Sequence, residues 1–184
     1  MASSLQSAAA LLVRTGQAGP SRLEDEVTGF YDEFRAPVLR YLYSLRTSTA
    51  DGEEIVQEVF LALFRHLRDG KSRANLRGWI FRVAHNLALK NRIARMRQGD
   101  AEGVVEHPDP GLNPEQLAAG RQRQERLVSV VKALPEQDQY CLSLRAEGFR
   151  YREIAEIVGI SLGSVANALE RSLARLSRAD EGSR

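Results

Sequence analysis

The sequence predicts an all-α protein of two small helical domains joined by a flexible linker. Aromatic residues make up only 7% of the chain, Ala, Leu, Arg and Glu are abundant, and no β-branched run alternates with period two. At 184 residues and 43% hydrophobic content, the chain can bury one moderate core or two small ones. The predicted parts are a mobile N-terminal tail at 1–21, helical domains at 22–97 and 114–178, a linker at 98–113 and a C-terminal tail at 179–184.

The N-terminal segment and the cysteine content indicate the cellular compartment of the protein. The apolar patch from Ala8 to Val13 has no basic region before it and is too short for a membrane span or a signal-peptide core, so we expect neither membrane insertion nor export. Cys141 is the only cysteine, which excludes an intramolecular disulfide and suits a reducing compartment, the cytoplasm. Its apolar neighbours predict a small buried hydrophobe rather than a nucleophile.

Two helical stretches open the first domain. Apolar residues recur at helical spacing through 22–67, and Pro37 is expected to break or bend the first stretch. A new helix is predicted to begin near Asp51. There Asp51-Gly-Glu-Glu54 resembles a capping box, in which Asp51 accepts backbone N–H groups and Glu54 reaches back.

A strongly basic segment closes the first domain. Residues 71–97 carry eight cations and no carboxylate, although the formal net charge of the whole chain is only +2. Trp79 lies among these cations, with Phe81 and Asn86 nearby. Cations that follow phosphates, interleaved with rings on which bases stack, are typical of a surface for single-stranded nucleic acid. The alternative is a solvated basic face over an ordinary core helix.

Residues 98–113 contain Gly, Pro and acidic residues without periodicity, which predicts the linker. Helices are expected to resume at Asn113-Pro114, where Asn can cap and Pro suits the first turn. A further helix is predicted from Leu134-Pro135-Glu136 to a stop near Gly148.

The second domain ends in a pattern that predicts a helix-turn-helix. Ile154, Ala155 and Val158 form the inner face of a short helix, Gly159 supplies the turn, and Ser161 can cap a second helix. The exposed start of that second helix would enter a DNA major groove. The alternative is a helical hairpin without DNA contact.

Nothing in the sequence predicts an enzyme or a cofactor. His66, His85 and His107 lie far apart and have no His, Cys or carboxylate partner at a metal spacing, so we expect surface residues rather than ligands. No phosphate-binding glycine motif and no Ser/His/Asp signature is present.

These segments together resemble the extracytoplasmic-function (ECF) group of bacterial RNA polymerase sigma factors, in the sigma-70 family. DGEEIVQEVFLALFRHL at 51–67 is similar to region 2.2, and LRGWIFRVAHNLALKNRIARMR at 76–97 is similar to regions 2.3 and 2.4. Residues 133–176 are similar to region 4. The resemblance covers about residues 25–177 and implies a sigma factor that directs promoter recognition, DNA melting and transcription initiation. The rival hypothesis is a stand-alone helix-turn-helix regulator that binds duplex DNA without polymerase.

The resemblance also implies partners and contact residues. The partners are core RNA polymerase, through its β′ clamp helices and β subunit, promoter DNA, and an anti-sigma protein of the kind that covers both domains in many members. The implied polymerase contacts are Asp51, Glu54, Gln57, Glu58 and Phe60. The implied contacts to the −10 element are Arg77, Trp79, Arg82, Asn86 and Lys90, and those to the −35 element are Arg152, Ser161, Gly163, Ser164, Asn167, Arg171 and Arg175.

The recognition helix departs from the family pattern. Members often carry basic residues in a V-K-S-R-L pattern, whereas this chain has Ala166 and Ala168 at the two basic positions. Two expected contacts to phosphate or base would then be missing. Either the −35 element is read mainly by shape and a few hydroxyl or amide groups, or the domain depends on another protein.

Overall fold

The computed structural model describes residues 20–98 and 117–181. All regular structure within these ranges is helical, which confirms the predicted fold class, and none of these helices is long and apolar enough to cross a membrane. The helices are α1 (Pro20–Ser44), α2 (Thr49–Arg68), α3 (Leu76–Gln98), α4 (Leu117–Lys132), α5 (Glu136–Ala146), α6 (Tyr151–Val158) and α7 (Leu162–Glu181). The predicted linker and the predicted helix start at Asn113 lie outside the described residues.

Helices α1, α2 and α3 pack against one another and form the first unit. Their contact faces bury Val38, Leu42, Val59, Leu63 and Ile80 completely. Of the predicted break or bend at Pro37, the break does not occur, because α1 continues through this residue to Ser44. Proline removes one backbone hydrogen bond, but apolar residues buried on both sides of it hold the helix in the core.

The residue that caps the N-terminus of α2 is not the one that the sequence predicted. Ser48 is the N-cap, and its hydroxyl accepts the backbone N–H of Asp51 at 3.1 Å. The helix therefore begins at Thr49, and Asp51 lies in its first turn instead of capping it. A Ser N-cap leaves Asp51 near the positive helix end, where a carboxylate is stabilised.

The second unit contains the predicted helix-turn-helix. Helix α6 ends at Gly159, which has a left-handed backbone with φ of 74°, and the hydroxyl of Ser161 caps α7 by accepting the N–H of Ser164 at 3.0 Å. Ile154 and Val165 are completely buried where the two helices meet. Helices α4 and α5 pack on α7 and complete the unit.

The two units pack directly against each other. Helix α3 contacts α6, and α1 contacts α5. Buried residues of both units form one continuous core, in which Phe81 of the first unit meets Phe149 of the second with ring centroids 4.8 Å apart. The sequence predicted two domains but gave no sign of this contact.

Candidate nucleic-acid interface

Helix α3 presents a polar face at the positions that the sequence assigned to the −10 element. Arg82, Asn86 and Lys90 are exposed and lie one helical turn apart, so their side chains share one face. Asn86 and Lys90 line an open groove with the apolar side chains of Leu89 and Ile93. Hydrogen-bond donors beside a partly apolar floor are the combination that suits a nucleic-acid strand, with its phosphates and flat bases.

Trp79 is half-buried and held in place by its surroundings. Its ring centroid lies 4.7 Å from that of His66, and Nε2 of His66 hydrogen-bonds the carbonyl oxygen of Ser72 at 2.8 Å. Asn75 has a positive φ of 49°, and its side chain accepts the N–H of Gly78 at 3.1 Å, which caps α3 one turn before the ring. The loop, the cap and the histidine therefore fix the orientation of the indole within the protein.

Arg77 belongs to the same predicted set but contacts the second unit. Its guanidinium lies 4.3 Å from the ring centroid of Phe149, and it donates a hydrogen bond to the carbonyl oxygen of Glu147. Within this packed arrangement the guanidinium is half-buried against protein. Arg77 and the exposed residues of α3 are therefore not equally accessible to DNA.

The polymerase-binding residues predicted on α2 divide into exposed and internal side chains. Glu54, Gln57 and Glu58 are exposed at spacings of three and four, which place them on one face. Leu61 continues that face and is 49% exposed. Sequence reasoning missed Leu61, although its spacing from Gln57 and Glu58 could have identified it.

Phe60 and Asp51 have internal partners. Phe60 is buried, and its ring meets that of Tyr31 edge to face at 5.0 Å, so it supports α2 from inside. Asp51 accepts a hydrogen bond from Arg95 at 2.6 Å. The hydrogen bond from Ser48, together with Arg95, lowers the pKa of Asp51, which is therefore a bound carboxylate within the first unit.

The residues predicted for the −35 element surround the helix-turn-helix. Arg152, Ser161, Gly163, Asn167 and Arg175 are exposed, whereas Ser164 is half-buried. The hydroxyls of Ser161 and Ser164 lie 2.8 Å apart. One hydroxyl of this pair already serves the helix cap, so Asn167 is the freest polar side chain on the first turns of α7.

The departure at Ala168 has a structural explanation. Ala168 is completely buried, whereas Ala166 is only half-buried. A basic side chain at position 168 would have to leave the core to reach DNA. Of the two positions, Ala166 is the one at which a longer side chain would meet solvent, and the expectation of two missing contacts stays a prediction.

Arg171 is tied to a buried carboxylate on α5. It donates two hydrogen bonds to Asp138, at 2.8 and 3.1 Å, and Asp138 is only 1% exposed. This bidentate pair joins α7 to α5. The family resemblance implied a DNA contact for Arg171, and sequence reasoning did not single out Asp138, because nothing local marks a pair separated by 33 residues.

His85 is buried, so the prediction of a surface histidine is wrong here. Its Nδ1 lies 2.8 Å from the hydroxyl of Tyr41, and the ring of Tyr140 covers it edge to face at 5.3 Å. Burial lowers the pKa of His85 to about 4, so the imidazole is neutral at neutral pH. Cys141 is buried as predicted, and burial raises its pKa to about 11.

Two family models match the chain in the order that the sequence predicts. The model for sigma-70 region 2 matches residues 30–98, and the model for sigma-70 region 4 matches residues 124–176. The first range holds most of α1 with α2 and α3, and the second holds the helix-turn-helix.

Two curated relatives match across both units. The chain is 29% identical over 143 residues to the ECF RNA polymerase sigma factor SigE of Mycolicibacterium smegmatis, covering 76% of this chain and 55% of that protein. It is 26% identical over 156 residues to the ECF RNA polymerase sigma-E factor of Escherichia coli (strain K12), covering 76% of this chain and 82% of that protein. The chain thus spans about half the length of the first relative and most of the second.

Solved structures show the same fold. CnrH, in complex with the cytosolic domain of CnrY, aligns with a TM-score of 0.59 at 19% identity, over 86% of this chain and 90% of that one. The sigma factor RpoE, in complex with the anti-sigma factor NepR from Bartonella quintana, aligns with a TM-score of 0.63 at 22% identity, over 85% of this chain and 99% of that one. With both sigma-70 regions in order on one helical chain, this protein belongs to the ECF group of the sigma-70 family, the non-catalytic factors that direct RNA polymerase to promoters.

Proposed function

We propose that this sigma factor binds core RNA polymerase through the exposed face of α2. Glu54 and Glu58 place two carboxylates on that face, and Leu61 adds an exposed apolar side chain beside them. A basic helical partner with an apolar stripe would complement this surface. The family resemblance identifies that partner as the β′ clamp helices, with the β subunit as a further contact of the holoenzyme.

The exposed face of α3 would bind the −10 element and hold it open. Unstacking a base costs a few kcal/mol, and each base–aromatic stack returns roughly 1–3 kcal/mol. Trp79 is the aromatic side chain available for such a stack, and its fixed position reduces the ordering cost. Arg82 and Lys90 would follow the phosphates of the opened strand, and Asn86 offers an amide to a base edge.

The helix-turn-helix would bind the −35 element with few direct base contacts. Arg152 on α6 and Arg175 on the C-terminal half of α7 are exposed cations and suit phosphate anchoring. Asn167 is the exposed amide on that helix, and amides read adenine edges in the major groove. With Ala166 beside it, base reading rests mainly on Asn167 and the shape of the DNA, since the hydroxyl of Ser161 also accepts the N–H of Ser164 at the cap of α7.

An anti-sigma protein is proposed as a regulatory partner. RpoE is bound by the anti-sigma factor NepR in the solved complex, and that chain aligns with both units of this one. A protein that covered α2 and α3 would exclude polymerase and DNA together. This sigma factor would act on polymerase in the cytoplasm.

The observation that carries this function is the occurrence of sigma regions 2 and 4 in order, with Arg82, Asn86 and Lys90 exposed on α3. Run-off transcription with purified core polymerase, on a library of promoter fragments with duplex or pre-melted −10 regions, tests it. We expect protein-dependent transcripts from duplex templates. Duplex binding without any association with core would instead favour a stand-alone regulator.

The polymerase surface is tested by a charge reversal with a matched control. Glu58→Lys should weaken binding to core about tenfold, because it reverses charge at the proposed contact. Glu24→Lys reverses an exposed charge on α1, outside that face, and should bind as wild type does. Equal binding of both variants in a quantitative pull-down would remove α2 as the polymerase contact.

A further inference from the structure

One face of α7 points away from the core and carries two longer polar side chains, Asn167 and Glu170. With Gly163 and Ala166 they recur at spacings of three and four residues, which places all four on one face, opposite the residues that α7 buries. Gly163 and Ala166 are small, whereas Asn167 and Glu170 are both exposed. Recognition helices present base-reading side chains at this spacing. An amide and a carboxylate therefore dominate the face that would enter the major groove.

The carboxylate of Glu170 is not used inside the protein. Glu170 has no hydrogen bond and no ion pair with another residue that the structure describes. The next residue, Arg171, donates its hydrogen bonds to Asp138 on α5 instead. Glu170 lines an open surface groove together with the exposed Arg175. Its carboxylate is therefore accessible to an outside donor, beside a cation that suits a phosphate.

The first turns of α7 lack the side chains that most often read guanine. Arg and Lys make the commonest specific contact to a base, to O6 and N7 of guanine, and residues 162–170 contain neither. Ser164, the remaining polar residue of this stretch, is half-buried and lies 2.8 Å from the hydroxyl of Ser161. Base discrimination by this stretch therefore depends on Asn167 and Glu170.

A carboxylate discriminates among bases because it only accepts hydrogen bonds. In the major groove cytosine presents the N4 amino donor, whereas guanine presents the acceptors N7 and O6 and thymine the acceptor O4. Adenine presents a donor beside an acceptor, which an amide matches and a carboxylate does not. Glu170 would thus favour cytosine, and the other bases would leave its charge desolvated without a full partner.

We propose that Glu170 is a specificity-determining residue for the −35 element and accepts a hydrogen bond from the N4 amino group of a cytosine. This inference rests on the proposed function, because it adds a second base-reading group to the helix that carries Asn167. The two residues are three positions apart, or about 4.5 Å of helix rise, against about 3.4 Å for one base-pair step. The cytosine therefore lies within two base pairs of the adenine that Asn167 reads.

The test measures base preference with the sigma factor bound to core polymerase. A promoter obtained from the run-off experiment is randomised through its −35 element, and the fragments that the holoenzyme binds are sequenced. The variants are Glu170→Gln, Glu170→Ala and Asn167→Ala. The matched control is Glu125→Gln, which makes the same change at an exposed carboxylate on α4, outside the helix-turn-helix. Thermal midpoints of unfolding check that each variant is folded.

Wild type should enrich cytosine at one position by roughly five- to tenfold over the other bases. Glu170→Gln should change that preference to adenine, because a glutamine amide pairs with N6 and N7 of adenine, and Glu170→Ala should abolish it. Glu125→Gln should select the same sites as wild type. Bases are compared within one library, so a uniform gain in affinity from removing a negative charge near phosphates cancels.

Two results would overturn the assignment. One is the absence of a cytosine preference within two base pairs of the position that Asn167→Ala relaxes. The other is a Glu170→Gln library with the same base preferences as wild type. The proposed function fails separately, if wild type gives no core-dependent transcript from any template.

Discussion

The buried histidine makes the stability of this protein depend on pH between about 4 and 6.5. The pKa of His85 is about 4 in the folded chain, against an ordinary value of 6.5, and burial causes the difference. Between these two pH values, His85 is therefore mostly protonated in the unfolded chain and mostly neutral in the folded chain. The contribution of His85 to the unfolding free energy is fully present above pH 6.5 and is lost as the pH falls from 6.5 to 4. Below pH 4 this residue causes no further change in stability.

The size of the effect follows from the two pKa values. The full difference corresponds to about 3 kcal/mol of unfolding free energy, of which about 2 kcal/mol is lost on going from pH 7 to pH 5. The groups that face the imidazole are the hydroxyl of Tyr41 on α1 and the ring of Tyr140 on α5. Neither supplies a charge that would stabilise the imidazolium.

Urea unfolding followed by circular dichroism at pH 7 and pH 5 measures this loss. His85→Gln keeps a polar group that does not titrate. The unfolding free energy of wild type should therefore fall by about 2 kcal/mol more than that of this variant between pH 7 and pH 5. Tyr41→Phe removes the hydrogen bond but leaves the ring buried. That variant should keep the pH dependence, because desolvation causes the shift.

Equal losses in wild type and His85→Gln would refute this account of the buried ring. NMR titration of the imidazole gives a second check in the folded protein. A midpoint near 6.5 would mean that the ring is hydrated and that the packing of Tyr140 over it is incorrect.

Three further predictions concern the cap, the buried ion pair and the indole. Asn75→Ala should destabilise the protein by about 1–2 kcal/mol, since it removes the α3 cap at a residue with positive φ. In the same urea assay, Asn75→Gly should destabilise it by only a few tenths of a kcal/mol. Arg171→Ala should lower the thermal midpoint of unfolding by a few degrees, because it leaves the carboxylate of Asp138 buried and unpaired. The control Arg175→Ala should leave the midpoint unchanged, and equal midpoints in the two variants would contradict the structural role of the Arg171–Asp138 pair. Trp79→Ala should reduce open-complex formation about tenfold and leave binding to core unchanged, and equal loss in the two assays would remove the −10 role.

The helix-turn-helix shows what short-range sequence information can predict. A glycine at the turn, a serine cap after it and apolar residues at helical spacing all act within a few residues of one another. The structure confirms each of them, from Gly159 with its positive φ to Ser161 at the cap. The end of α5 near Gly148 follows from the same kind of signal.

At Pro37 and Asp51 two local signals compete. Proline signals a break, but the buried residues around it hold α1 together. Two residues, Ser48 and Asp51, can both cap a helix, and the structure uses the serine. In each case packing or cap geometry decides between options that the sequence leaves open.

The sequence by itself determined the helical fold and the order of the two sigma regions, and it contains the residues that we propose for the DNA and polymerase contacts. These depend on periodicity, caps and motif spacing, which are local properties. Only the tertiary structure decided which of those residues are accessible. Arg171 is tied to Asp138 across 33 residues and Arg40 to Glu147 across 107, and His85 is neutral because other helices cover it. Burial and ion pairing are set by residues far apart in the chain, so a one-dimensional pattern does not contain them.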